Sequence, residues 1–244
     1  MPSNHFVNLA QSIEELKRVY LADGLAAAIP NDDQQERARA FVVLAHAEME
    51  YFIEEVLRDL AKAVLRHAAA GTYGRSALAL ITFGGLDPQN GGTTLSKGKK
   101  KVPRVLTTRI GEASANIQKI LDDNTGVKEK YLAEMAIPLG LDPDAVDSSW
   151  LAELEAFCVA RGAFAHMSRG SQGGSHLAVD PKEMWRKVRR IVWTDPSFVS
   201  AGAISSFERF DEWAESEQRA VGVTVRVDYG NNGVLRFFKR LIGA

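Results

Sequence analysis

Apolar residues along this chain recur mostly at three- and four-residue steps, which places them on one face of an α-helix. Leu9, Ile13, Leu16 and Tyr20 predict a helix over 8–28, ended at the latest by Pro30. Asn31-Asp32-Asp33 supplies a cap for a long helix over 34–69. Its buried side is expected to be Val42, Met49, Ile53, Val56, Leu57, Leu60 and Val64, with Glu54, Glu55, Arg58, Asp59 and Lys62 turned away. Shorter helices are predicted over 112–122 and 128–138, with Pro138 and Gly140 at the exit of the second. Asp147-Ser148 caps a helix over 149–167, and two more are predicted over 181–193 and 203–219.

Three stretches break this period. Residues 84–104 run from Gly84-Gly85 through Asn90-Gly91-Gly92 to Lys97-Gly98-Lys99-Lys100-Lys101, a composition that cannot build a core. Ser168 to Ser175 is a small, polar loop directly beyond the 149–167 helix. Near the end, Val223, Val225, Val227 and Tyr229 alternate before Asn231-Asn232-Gly233, the pattern of a small hairpin, although Leu235 to Arg240 could turn helical instead. The expected architecture is an all-α helical bundle over 1–220 with a Gly/Lys-rich insertion at 84–104, and a C-terminal appendage over 221–244.

Composition narrows the function. With 30 Lys+Arg against 31 Asp+Glu, the formal charge of −1 provides no global field for nucleic acid, so any RNA contact must use local basic patches. A single cysteine excludes an internal disulfide framework and a Cys-rich zinc site, and Cys158 reads as a small core residue. The start, Met1-Pro2-Ser3-Asn4-His5, lacks the basic and apolar regions of a signal peptide, and no run is apolar enough to span a bilayer. A cytoplasmic protein is expected.

The richest segment is Arg161-Gly162-Ala163-Phe164-Ala165-His166. At about 100° per residue, Trp150, Leu154, Phe157, Cys158, Phe164 and Ala165 all project within about 60° of Arg161. A permanently charged side chain is thus expected along the middle of the apolar stripe that faces the core, where it must be met by something. His166 follows, rotated about 140° from it on a regular helix.

Arg-x4-His closing such a helix resembles the signature of HEPN-domain proteins. Ala165 before His166 fits the usual ending, and the segment from Arg37 to Ile53, with Glu50 followed by Tyr51, is similar to the opening helix of the RiboL-PSP subgroup. Members often carry a polar residue directly after the arginine, where this chain has Gly162. The resemblance implies an all-helical HEPN-like fold and a metal-independent endoribonuclease acting on single-stranded or looped RNA. His166 would act as general acid/base and Arg161 as the phosphate clamp, with products ending in 2′,3′-cyclic phosphate and 5′-hydroxyl. These roles suit the residue types. Imidazole titrates near neutrality, and guanidinium offers a planar, permanently charged fork. No cofactor and no metal is expected.

The 140° offset means that one straight helix does not aim both side chains at one phosphate. Either Gly162 or the helix end relaxes the geometry, or the site is composite. The resemblance favours a homodimer with both Arg-His pairs lining one groove. Glu50 is expected to orient Arg161 or His166, or to hold two helices together as a core-edge ion pair. The resemblance to toxin and defence proteins also implies an antitoxin or regulatory partner.

Other candidates divide between chemistry and solvated surface. Lys99, Lys100 and Lys101, and on the 181–193 helix Arg186 and Arg189 beside Trp185, could hold phosphates and stack a base, or could simply be exposed. Gly92 to Lys100 is one residue too long for a phosphate loop and lacks Ser/Thr after the lysine. His46 and Glu50 sit at i and i+4, but no further ligand motif accompanies them, so a metal pair is not expected. Ser168 and His166 have no third partner for a hydrolase triad. The rival reading is a noncatalytic HEPN-like module for binding RNA or nucleotide, or for oligomerisation. Gly162 and the near-neutral charge both favour it.

Overall fold

Asn31 opens the element around which everything else packs: its side chain accepts from the Gln34 backbone N–H while the Gln34 side chain accepts from the Asn31 N–H, a reciprocal cap. From there α3, Asp32–Ala69, runs 38 residues, about 57 Å at 1.5 Å per residue. The computed structural model describes residues 2–83, 102–166, 178–195, 203–220 and 223–224, except the side chains of 81–83, 102–108, 166 and 223–224. Among these residues there are nine α-helices and one two-residue strand pair, so the architecture is an all-α bundle, as expected. No helix among the described residues is long and apolar enough to cross a membrane.

The other helices surround α3. They are α1 (Asn4–Tyr20), α2 (Ala22–Ala26), α4 (Arg75–Phe83), α5 (Val102–Asp122), α6 (Glu129–Ala136), α7 (Ser148–His166), α8 (Pro181–Val192) and α9 (Phe207–Arg219). The core is one continuous cluster containing Phe41, Met49, Phe52, Leu57 and Leu60 of α3, Phe157 of α7, and Phe207 and Phe210 of α9. Phe207 is the joint between three helices, its ring 5.6 Å from both Phe52 and Trp150. The expected buried side of the long helix is buried throughout, from Val42 to Val64.

Several boundaries differ from the expected ones, each for a local reason. The first helix is two: Ser3 caps α1, whose N-terminus is tied to α9 through Asp211, and the chain breaks at buried Leu21 before α2. At Gly24 a Cβ would come 2.7 Å from the Pro181 ring, so glycine permits α2 to touch the start of α8. α5 begins at Val102, inside the expected insertion and ten residues before the expected helix start (112 − 102), because Pro103 is harmless in a first turn. The rest of that insertion, 84–101, lies outside the described residues. α4 has no counterpart in the sequence reading. It is held by the short 3-10 turn Ile137–Leu139, where Gly140 at φ +97° sits within 3.2 Å of the Ser76 backbone for an added Cβ. α9 starts at Phe207 and not at 203, since Ile204 makes a parallel bridge to Val146 and Ser206 caps the helix. Val223–Thr224 (β2) pairs antiparallel with Thr72–Tyr73 (β1) after α3. The expected turn at 231–233 lies outside the described residues.

Candidate functional site

The seam between α3 and α7 is where polar chemistry enters this core. On α7 the apolar stripe is buried at Trp150, Leu154, Phe157 and Cys158. It then emerges: Arg161 and Phe164 are half-buried and Ala165 is exposed. The arginine therefore stands at the rim of the stripe and not in its middle. Among the described residues no carboxylate forms an ion pair with Arg161, and its Nε is buried without a hydrogen-bond partner.

Across the seam, α3 places His46 and Glu50 one turn apart on the same side. His46 is only 3% exposed, and its ring lies against Phe157 at 6.4 Å with planes 21° apart. Its Nδ1 is 3.7 Å from the Glu50 carboxylate, beyond hydrogen-bond length, and is unpartnered. Burial, and then the Arg161 charge, hold the His46 pKa down at about 4, so the ring is neutral at pH 7. Burial and the neighbouring Glu54 push Glu50 above the usual carboxyl range, against the opposing pull of Arg161. Glu54 itself accepts from the Asn124 side chain at 2.8 Å. The connection from α5 to α6 roofs the histidine, with a Cβ at Gly126 falling 3.9 Å from its Cε1. Perturbed groups gathered around one cation make this seam a candidate functional site.

The structure therefore brings Arg161 and Glu50 together, without the ion pair that a purely architectural role for Glu50 would use. His166 is the last residue of α7, and its side chain lies outside the described residues. Lys99, Lys100 and Lys101 also lie outside them. Arg186 and Arg189 are exposed on α8. Trp185 is occupied: Lys17 sits 4.1 Å over its ring and Trp193 packs at 5.9 Å, so it is no free stacking platform. No three His, Cys, Asp or Glu side chains cluster as a metal site among the described residues. His46 is the residue sequence reasoning missed. Its spacing to Glu50 was visible, but its approach to Arg161 depends on packing between helices far apart in sequence.

Two features of α7 bear on access. A Cβ built on Gly162 meets nothing within 4 Å, so the face between Arg161 and His166 is open. The outward side is apolar too: Ala152, Ala156, Val159 and Ala163 are exposed, Val159 by 58%. A shallow groove beside them is lined by Glu129, Ser148, Leu151 and Glu155.

A family model described as RiboL-PSP-HEPN matches residues 7–191, a span that contains α3, α7 and nearly all of α8. No curated protein and no solved structure matches the chain.

Proposed function

Because this chain belongs to the RiboL-PSP-HEPN family, we propose that it is a metal-independent endoribonuclease whose site centres on Arg161 and His166. The observation that carries this reading is the state of Arg161: a half-buried cation at the rim of the core, with no carboxylate consuming its charge among the described residues. A buried or half-buried guanidinium is costly unless something anionic meets it. A phosphodiester suits its planar fork.

RNA contains its own nucleophile. The 2′-oxygen attacks the adjacent phosphorus and the bond to the 5′-oxygen breaks, leaving a 2′,3′-cyclic phosphate and a 5′-hydroxyl. One proton leaves the 2′-hydroxyl and one reaches the departing 5′-oxygen; His166 exchanges one of them, as an imidazole titrating near neutrality can, and solvent water the other. Arg161 stabilises the charge that builds on the phosphoryl oxygens. Gly162 leaves the backbone between them open to the strand. Single-stranded or looped RNA fits, since in-line attack needs a backbone free to rotate. Arg186 and Arg189, with Lys99, Lys100 and Lys101, add phosphate contacts away from the scissile bond.

The apolar outer side of α7 supports a homodimer. An apolar strip on a helix is normally covered, and here the strip of Ala152, Ala156, Val159 and Ala163 faces solvent. His166 lies toward that side, about 140° from Arg161. A second copy docking there by two-fold symmetry brings both Arg-His pairs to one groove. A nuclease of this kind needs restraint, so the cellular reading is a toxin or antiviral-defence effector held by an antitoxin or other regulatory partner.

The second reading is a noncatalytic HEPN module that binds RNA or nucleotide through Arg161, or serves oligomerisation. Gly162, in the place where relatives often carry a polar residue, favours it. Labelled RNA digested in EDTA by the parent, Arg161→Ala and His166→Ala separates the two. Chelator-resistant cleavage lost in both folded variants supports the enzyme; binding without cleavage supports the module.

A further inference from the structure

Buried polar atoms without partners are rare, because each forfeits hydrogen bonds it would make in water. Two of them stand at the same seam here, Nδ1 of His46 and Nε of Arg161. Glu50 is close to His46 and feels the Arg161 charge, a carboxylate that would ordinarily close onto the guanidinium. It does not: its Oε2 is 3.7 Å from His46 Nδ1, and no ion pair to Arg161 forms among the described residues. Glu54, the next acidic group along α3, is taken by Asn124. The walls around His46 leave its ring little freedom, with Phe157 stacked on one face and the Gly126 backbone near Cε1. A locked imidazole is a good anchor for a neighbouring side chain.

We propose that His46 is the positioning residue of this site: it holds the Glu50 carboxyl beside Nδ1 and off Arg161, leaving the guanidinium to a phosphate of the substrate. The inference rests on reading Arg161 as the phosphate-binding residue. The electrostatics agree with it. Burial first, and then the Arg161 charge from α7, keep the ring neutral, while Glu50 on its own helix stands 3.7 Å from Nδ1 and is itself pushed up by burial and by Glu54. A neutral ring with its proton on Nδ1 turns an N–H toward the Glu50 carboxyl 3.7 Å away and adds no second positive charge beside Arg161. Removing the nitrogen would release Glu50 to pair with Arg161, and the phosphate site would close from within.

The test uses a 2′-O-methyl RNA oligonucleotide, which binds without offering a nucleophile, against the full chain. His46→Leu lowers its affinity at least about fivefold, the scale of a lost charge-assisted contact. Adding Glu50→Gln to that variant restores binding to within about twofold, since a neutral amide cannot neutralise Arg161. Parent-like binding by His46→Leu, or a loss that Glu50→Gln does not recover, overturns the proposal. Should His46→Leu fail to fold, His46→Asn keeps an N–H near Nδ1 and is expected to bind like the parent; weakened binding by that folded variant overturns it. If the parent binds with this pattern but cleaves no RNA, the ribonuclease reading fails and the positioning role stands. If the parent cleaves RNA and the pattern is absent, only the positioning role fails. A parent that does not bind the oligonucleotide overturns both.

Discussion

His46 of α3 and Phe157 of α7 stack with ring centroids 6.4 Å apart, so the turn of α3 that carries Glu50 is pinned against the turn of α7 that leads to Arg161. That contact fixes the histidine where it cannot easily charge. Its pKa of about 4, against 6.5 in an unfolded chain, means that the unfolded state binds the extra proton between those values. Stability therefore falls as pH drops from 6.5 towards 4, by about 3 kcal/mol from this residue. Glu50, pushed up, contributes in the opposite sense, losing stability as pH rises through its own transition. Urea unfolding of the parent and of His46→Leu across this range isolates the histidine: the difference between them should narrow as pH falls. A constant difference would contradict a neutral buried ring.

Phe207 makes a second, simpler prediction. It is fully buried, with edge contacts to Phe52 and Trp150 that join α3, α7 and α9. Phe207→Ala removes those contacts and leaves a cavity, for an expected loss of about 3–5 kcal/mol. Urea titration should show a lower midpoint with an unchanged slope.

Much of this frame was legible in the sequence because it is written in local rules. The cap at Asn31, the 3.6-residue period from Val42 to Val64 and the apolar stripe of Trp150, Leu154, Phe157 and Cys158 each involve neighbours along one helix. Arg161 stood out for the same reason. What was not legible depends on distant segments. The approach of His46 to Arg161, the close contact of Gly24 with Pro181, and the pairing of Val223–Thr224 with Thr72–Tyr73 join residues more than a hundred positions apart. α4 escaped because it is nine residues long and its packing against the 137–139 turn, not a strong period, holds it.

Cys158 should be chemically silent in the folded protein. Burial first, then the charge of Glu155, push its thiol up to about 11, so little thiolate exists at neutral pH. A disulfide reagent at pH 7.5 is expected to label it only on the timescale of unfolding, and fully in denaturant. Fast labelling of the native chain would mean that the α7 stripe opens.

Gly162 poses stability against access. Glycine inside a helix costs roughly 0.5–1 kcal/mol relative to alanine, and here a Cβ would meet nothing within 4 Å. Gly162→Ala should therefore raise stability by that amount. If RNA approaches the open face between Arg161 and His166, the same change lowers cleavage or binding while the fold improves. A variant that gains both stability and activity would move the substrate path elsewhere.

The composite site can be tested by mixing defects. Arg161→Ala retains His166, and His166→Ala retains Arg161, so each homodimer lacks one half of the chemistry. If the proposed groove draws on both copies, mixed dimers contain one intact arginine and one intact histidine. Activity should return in proportion to mixed dimers, about half of the total at random exchange. Val159→Glu places a charge on the exposed outer side of α7, where Val159 is 58% accessible. It is expected to shift the protein towards monomers in light scattering and to abolish that recovery, because burying an unpaired carboxylate at a seam is strongly unfavourable. Two inactive variants that stay inactive when mixed, in a protein that is still dimeric, would place both groups of each site within one chain.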